Sequence, residues 1–515
     1  MPPRPRTILL PIALLAACLA PSIPAADAAA PWPGESWTSA TNLTSLNATG
    51  WASNLSGAYW NPVTRRLWVC TNGPARFWSL RENGAGGFEI EREYTGTGDL
   101  EAISQIGTTP DRVFVLDEQA RMIRSYRISD GAALTTWFLS TIPDWGNSGP
   151  EGIAFVPNAW LGQSGFVDGT GAPYPQSVHG ANGFGGIVFV AVQTSGWVYA
   201  FDLRTNGTST FVGRYLTSRA ESCELTFDDS IGRMYVLHNI DTNVLEITSL
   251  VSTLSAGNRR FTPDAEVQVP SGSNIEGFGL TPALDPGSTV SERWCFFTDD
   301  SNLQGALRWF RQLPSQLAKH AGDGQSASAL APVAIPPAVQ VRDAFGNRLP
   351  GFAVTFQVAS GGGSIAGGSA TTDPDGVAAV GSWTLGPIPG PNSLEASGAG
   401  LFGSPQTFAA SAEQPLAVEA YEGEGAALAP PSPHPGRGSL RIAFALPRET
   451  ALTVDVFDAR GRRIRSLARG THPRGVHRLV WDGRDDGGAA ASTGIYFYRL
   501  TLPDQVLTRR GLLLR

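Results

Sequence analysis

Four segments of this 515-residue chain open an apolar run with a glutamate at the same place: "GDLEAIS" (98–104), "GPEGIAF" (149–155), "ESCELTF" (221–227) and "NIEGFGL" (274–280). A fifth, "NLSGAYW" (54–60), carries a serine there. The key residues are Ser56, Glu101, Glu151, Glu224 and Glu276, at steps of 45, 50, 73 and 52 residues. Each opening is followed by a second apolar run: "RLWVCTN", "RVFVLDE", "IVFVAVQ", "RMYVLHN" and "RWCFFTD". These runs end at Asn72, Glu118, Gln193, Asn239 and Asp299, each with a side-chain oxygen. A third strand-like run follows in every unit.

Repeats of 40 or more residues holding several short strands predict a β-propeller. Sixty Gly, 38 Pro, 24 Phe and 14 Trp suit short strands and tight turns, and no sustained helical period competes. The expected class is therefore all-β, with five blades as the main reading and six as the alternative. The segment 36–49 is expected to close the ring as the outer strand of unit five, since an open ring would leave a sheet edge unpaired.

Strand direction alone then places the polar residues. In a blade the first strand lines the central channel and the second runs antiparallel beside it. The start of the first and the end of the second thus meet at one mouth. Carboxylates 5–6 Å apart repel by about 3 kcal/mol at an effective dielectric near 20. Such a group raises its own pKa values or recruits a cation. A hard ion such as calcium takes 6–8 oxygen ligands, and the two columns offer only oxygens. The expected metal ligands are Glu101, Glu151, Glu224, Glu276, Glu118 and Asp299. Ser56, Asn72, Gln193 and Asn239 are the expected binding residues beside them. The competing reading is a solvated channel whose glutamates cap backbone N–H groups. The long spacers of units three (156–186) and five must leave from the opposite mouth, where they cap the far end or form a separate recognition surface.

Beyond the repeat, residues 315–330 are small and polar and read as a linker. Residues 331–412 alternate apolar and polar positions between glycine turns. Residues 413–436, rich in Pro, Ala and Glu, read as a second linker. Residues 437–515 form a last set of strands, with 15 Arg against 7 acidic residues. At the other end, Arg4 and Arg6 precede an apolar run from Ile8 to Ala20 and an Ala-x-Ala site, so 1–28 reads as a signal peptide and 31–314 as the propeller. A lipobox-like "LAAC" ending at Cys18 is the alternative; both readings export the chain. Cys70, Cys223 and Cys295 each fall inside strand-like runs and read as buried thiols.

The motifs "LSGAYWNPVTRRLWVCTN", "DLEAIS", "GPEGIAF" and "IEGFGL" resemble the calcium-associated propellers of the SdiA-regulated and esterase-like phytase families, over about 50–312. The resemblance implies acidic and amide metal ligands near the channel. "VQVRDAFGNRLPGFAVTFQVASGGGSI" is similar to bacterial Ig-like domains of the invasin type. "LRIAFALPRETALTVDVFDARGRRIRSL" and "GVHRLVWDGRDDGG" resemble the Ig-like module of the flagellar hook-capping family and secretion sorting domains.

No nucleophile elbow or His-Glu-x-x-His motif is present. The expected function is an exported cell-surface or secreted binding or adhesion protein with calcium at the channel mouth. The expected partners are an unidentified ligand at that mouth and an envelope or surface polysaccharide; neither nucleic acid nor a transmembrane segment in the mature chain is expected. The alternative is a calcium-dependent hydrolase of phosphoesters, phytate or lactones. Arg76, Arg121 and Arg219 near the mouth keep that alternative open, because phosphate recognition usually uses Arg or Lys.

Overall fold

In the computed structural model the described residues are 29–514, apart from 53, 107–108, 175–182, 241, 271–273, 285–291 and 414–422. The signal-peptide reading and Cys18 therefore lie outside them. Each repeat unit forms one antiparallel blade. Blade one is Leu55–Asn61, Arg66–Thr71, Arg76–Glu82 and Phe88–Thr95. Blade two is Leu100–Ser104, Arg112–Asp117, Met122–Arg127 and Ala133–Phe138. Blade three is Pro150–Pro157, Gly186–Val192, Trp197–Leu203 and Ser209–Leu216. Blade four is Glu224–Asp228, Arg233–His238, Val244–Ser255 and Asn258–Gln268. Blade five is Ile275–Leu280, Glu292–Asp299 and Leu307–Pro314. Its outer strand is Thr41–Asn42, paired with Trp309 and Arg308, so the ring closes as the sequence predicts.

The ring is tight at its axis. A Cβ on Gly57 would stand 2.7 Å from the Ala102 Cα, and one on Gly152 would stand 2.6 Å from the Glu224 Cα. A Cβ on Gly277 would collide with the Ser56 carbonyl. The glycine after the acid in "EG" thus lets neighbouring innermost strands approach. Between the blades, sheet faces are filled with aromatics. Trp60, Phe88, Phe296 and Trp309 pack where blade five meets blade one. Cys70, Cys223 and Cys295 are buried free thiols in these packed layers.

Residues 315–330 are not a linker. Gln316–Ala321 pairs with Ala338–Arg342, and Gln325–Ser328 runs parallel to Gln406–Glu413. These are opening strands of the second module, a β-sandwich around Val341, Phe356, Trp383 and Phe408. They read as polar because they face water on one side; in Gln316–Ala321 only Leu317 gives the core a large apolar side chain. The second linker shortens for the same kind of reason. Ala427–Leu428 already pairs with Ala445 and Phe444 of the last module. Gly436–Arg437 runs parallel to Leu513 and Leu514. That module is a second sandwich with Trp481 and Tyr498 at its centre.

The second module is docked on the propeller. Its turn "DAFGN" (343–347) carries Asp343 to the buried Arg293 of blade five, 2.7 Å away. Arg293 also holds Asp228 of blade four at 2.5 Å and the Tyr235 hydroxyl at 2.8 Å. Asn347 Nδ2 donates to Tyr235 at 2.9 Å, and the Phe345 ring meets Tyr235 and Trp32 edge-on. Among the described residues no helix is long and apolar enough to cross a membrane.

Candidate functional site

Four of the five innermost strands break register at the key residue. The shift falls between Leu55 and Ala58, Leu100 and Ala102, Pro150 and Gly152, and Ile275 and Gly277. One extra residue there is a β-bulge, which takes a side chain out of the ladder and re-aims it. Glu101, Glu151 and Glu276 are the bulged residues, and Ser56 lies in the bulge of blade one. The acids are therefore set at the mouth by backbone irregularity as well as by repeat position.

Blade four departs from this pattern. Glu224 to Asp228 pairs regularly with Leu237 to Arg233, without a bulge. Glu224 faces the penultimate residue of its partner strand, as Ala102, Gly152 and Gly277 do in theirs. It thus sits one position past the acid column. Its Oε1 accepts from Leu225 N (2.9 Å) and, across the gap to blade three, from Ile153 N (3.3 Å). Glu224 thus follows the backbone-capping reading, although its Oε2 is buried without a hydrogen-bond partner.

Asp299 is likewise offset by one. Backbone N–H groups of Asn72, Glu118, Gln193 and Asp300 bond the carbonyls of Asn54, Asp99, Gly149 and Asn274. Asp300, not Asp299, occupies the fifth place in the second column. Asp299 is fully buried, and its Oδ1 accepts from the Ser301 N–H (3.0 Å) and hydroxyl (2.6 Å), forming a turn. The same hydrogen bonds expose a third ring of polar residues, Asn54, Asp99 and Asn274, two positions before the key residue. Asp99 and Asp300 were therefore missed by the sequence reading, although Asp99 stands in "GDLEAIS" and Asp300 directly follows "RWCFFTD".

The carboxylates come together on the blade-two side of the mouth. Asp99, Glu101 and Glu118 each bring one oxygen within 4.8 Å of the other two. Glu118 is anchored by the Gly149 N–H at 2.7 Å, and Glu151 lies close enough to Glu118 to share a proton. On the blade-five side, Asn274 Nδ2 donates to Glu276 at 2.6 Å, while Asn239 Nδ2 donates to Asn274 Oδ1 at 2.7 Å. Asn72 lies against Glu101, and its own Oδ1 is buried without a partner, as is Asp300 Oδ1. Ser56 also stands beside Glu101, without a hydrogen bond of ordinary geometry. Gln193 turns instead toward Glu221.

Burial pushes the Glu101 carboxyl up to about 8; Ser56 opposes the rise, and Asp99 and Glu118 add to it. Glu276 rises to about 9 through burial, then through Asp300 and Glu101. Burial also raises Glu118, Asp99 and Asp300, and holds Glu151 and Glu224 well above the usual range. Among the described residues none of these seven acids has an ion-pair partner. Arg76, Arg121 and Arg219 are matched instead to Glu93, Asp144 and Glu266. His238 is fully buried, its Nε2 3.2 Å from Glu246, and serves as a packed hydrogen-bonding residue.

Fold and site together define a closed five-bladed propeller with a carboxylate-rich mouth, carried on two β-sandwiches. The family model described as SdiA-regulated matches residues 37–159, blades one and two and the opening of blade three. The model of the FlgD Ig-like domain matches residues 434–504. No curated protein matches the chain significantly. Among solved structures, glutaminyl cyclase from Myxococcus xanthus is similar at 11% identity, over 51% of this chain and 90% of that one, with a TM-score of 0.31. A protein from Lactobacillus plantarum is similar at 15% identity, over 43% and 57%, with a TM-score of 0.28. PorZ, a bacterial surface component of the type-IX secretion system of Porphyromonas gingivalis, is similar at 11% identity, over 90% and 51%, with a TM-score of 0.27.

Proposed function

We propose that this chain is an exported binding protein whose propeller mouth holds a divalent cation, calcium by preference, and presents it to an extracellular ligand. The observation that carries this reading is the set Asp99, Glu101 and Glu118. Their oxygens stand within 4.8 Å of one another, and among the described residues no basic side chain pairs with them. Ligands at about 2.4 Å from a shared ion fit that spacing, and an all-oxygen set favours a hard cation. The unpartnered Oδ1 of Asn72 offers a neutral ligand of the kind such ions accept. Asp300 and Glu276 supply further oxygen ligands on the blade-five side.

Export is supported by the leader-like first 28 residues and by the paired sandwich modules, an arrangement suited to holding a recognition head away from a surface. A cation with open positions would bridge the mouth to acidic or hydroxyl-rich groups, as on a polysaccharide. The hydrolase alternative asks more of the site, because the three nearby arginines already have acidic partners.

The test is calorimetric titration of the full chain with calcium and, separately, magnesium. Binding of calcium that is lost in Glu101→Gln supports the reading, and absence of calcium binding at millimolar concentration refutes it. Turnover of a phosphomonoester, phytate or lactone that disappears in Glu151→Gln would instead establish the hydrolase.

A further inference from the structure

The other end of the channel has a different chemistry. There a cavity of about 180 Å³ opens on the propeller axis, lined by residues of all five blades. Its walls are aromatic: Tyr59 and Trp60 from blade one, Phe155 and Phe184 from blade three, and Phe227 from blade four. Phe184 belongs to the long spacer of unit three, which leaves from this mouth as strand direction requires. Part of that insertion is thereby used to build a wall of the cavity.

The polar groups here are mostly committed. Asn61 Nδ2 donates to Gln105 Oε1 at 2.7 Å, and Gln105 Nε2 donates to the Arg112 carbonyl at 2.9 Å. Asn61 Oδ1 accepts the Val63 and Thr64 N–H groups. Thr226 donates its hydroxyl to the Phe278 carbonyl. Asp228 is held by Arg293 and by the Ala283 N–H. A sugar would find few free donors or acceptors among them.

Asp229 differs. It lines the cavity at an exposed position and forms no ion pair among the described residues. Although the residue is exposed, partial desolvation by the concave wall, and then the neighbouring Asp228, raise its carboxyl. Among the described residues no Lys, Arg or His lines the cavity. One acid beside aromatic side chains favours a positive charge through the ion pair and an apolar body through contact with the rings. It gives no help to an anion.

We infer that this second mouth is a binding site for a small organic monocation, an ammonium group carried on a flat or branched apolar body. The ammonium pairs with Asp229, and the apolar body lies against Tyr59, Phe155 and Phe227. The site is independent of the cation at the acidic mouth. No residue of the acidic cluster lines this cavity; Glu224 reaches only its wall, through the N–H groups of Ile153 and Leu225.

The full chain is titrated with 2-phenylethylamine and with its neutral isostere 2-phenylethanol, following tryptophan fluorescence and heat. The amine should bind at least about tenfold more tightly, the discrimination expected of a charge-assisted hydrogen bond. Asp229→Asn should remove that preference and leave the alcohol unchanged, Phe227→Ala should weaken both, and Glu101→Gln should alter neither. Equal binding of amine and alcohol, an Asp229→Asn variant that keeps the preference, or no binding of either probe at millimolar concentration would overturn the inference. Circular dichroism of each variant identifies any that has failed to fold, and Asp229→Glu then serves as the conservative replacement expected to keep the preference.

Discussion

Replacing Arg293 with Met tests how the head is fixed to its stalk. The guanidinium is 1% exposed and serves two carboxylates, Asp228 at 2.5 Å and Asp343 at 2.7 Å, as well as Tyr235 and the Thr281 carbonyl. Methionine fills much of the volume but leaves two buried acids without a cation. Removing one partner of a buried pair costs about 3–5 kcal/mol. At roughly 2 °C per kcal/mol for a domain of this size, the propeller transition should fall by about 6–10 °C at pH 7. The loss should shrink in acid. Burial already raises the Asp343 carboxyl and Arg293 opposes the rise, so without the arginine the variant gains relative stability as pH falls toward 4 and Asp343 takes up a proton. Triple replacement with Asp228→Asn and Asp343→Asn should recover most of the deficit. Differential scanning calorimetry at pH 7 and pH 4.5 reads all of this. A shift under 2 °C at pH 7, or one independent of pH, would refute the view that this ion cluster joins the two modules.

Four further outcomes follow from the mouth and the strands that build it. Glu101 and Glu276, raised from 4.5 to about 8 and about 9, are protonated in the folded state and ionised in the unfolded state at pH 7. The folded chain therefore binds more protons between about pH 4.5 and 9, so its stability without metal should fall as pH rises through that window, and thermal melts in a chelator should show it. Calcium should raise the melting temperature more at pH 8 than at pH 5, because it competes with those protons. Glu276→Gln should flatten the metal-free pH dependence and stabilise the chelated protein at pH 8, read from the same melts. Gly277→Val should destabilise by more than about 2 kcal/mol in denaturant titration, since a Cβ there strikes the Ser56 carbonyl.

Much of this was legible in the residues. Repeat spacing made five blades the main reading, with six left open, and gave the closing role of the segment around Thr41–Asn42 and the shared mouth of the two polar columns. Glu224 and Asp299 were each placed one residue off, because in both cases an acid adjacent to the correct position imitated the pattern. In blade four the bulge is missing, and a bulge leaves no compositional mark that a one-residue shift in "ESCELTF" would betray. In blade five "FTDDSN" offers two aspartates, and only backbone pairing separates the turn-forming Asp299 from Asp300. Gln316–Ala321 read as a linker because an edge strand exposed on one face needs few apolar residues. The docking role of "DAFGN" was hidden for a different reason. Its residues suit a solvent-facing turn equally well, and only the arginine facing them, fifty positions earlier, reveals the joint.

Isothermal titration of the full chain with calcium at pH 7, repeated in two buffers of different ionisation enthalpy, bears most directly on the carboxylate mouth. One calcium per chain, bound with proton release that vanishes in a Glu101→Gln and Glu118→Gln double variant, is the expected result. Calcium binding without proton release, binding unchanged in the double variant, or no binding would contradict it.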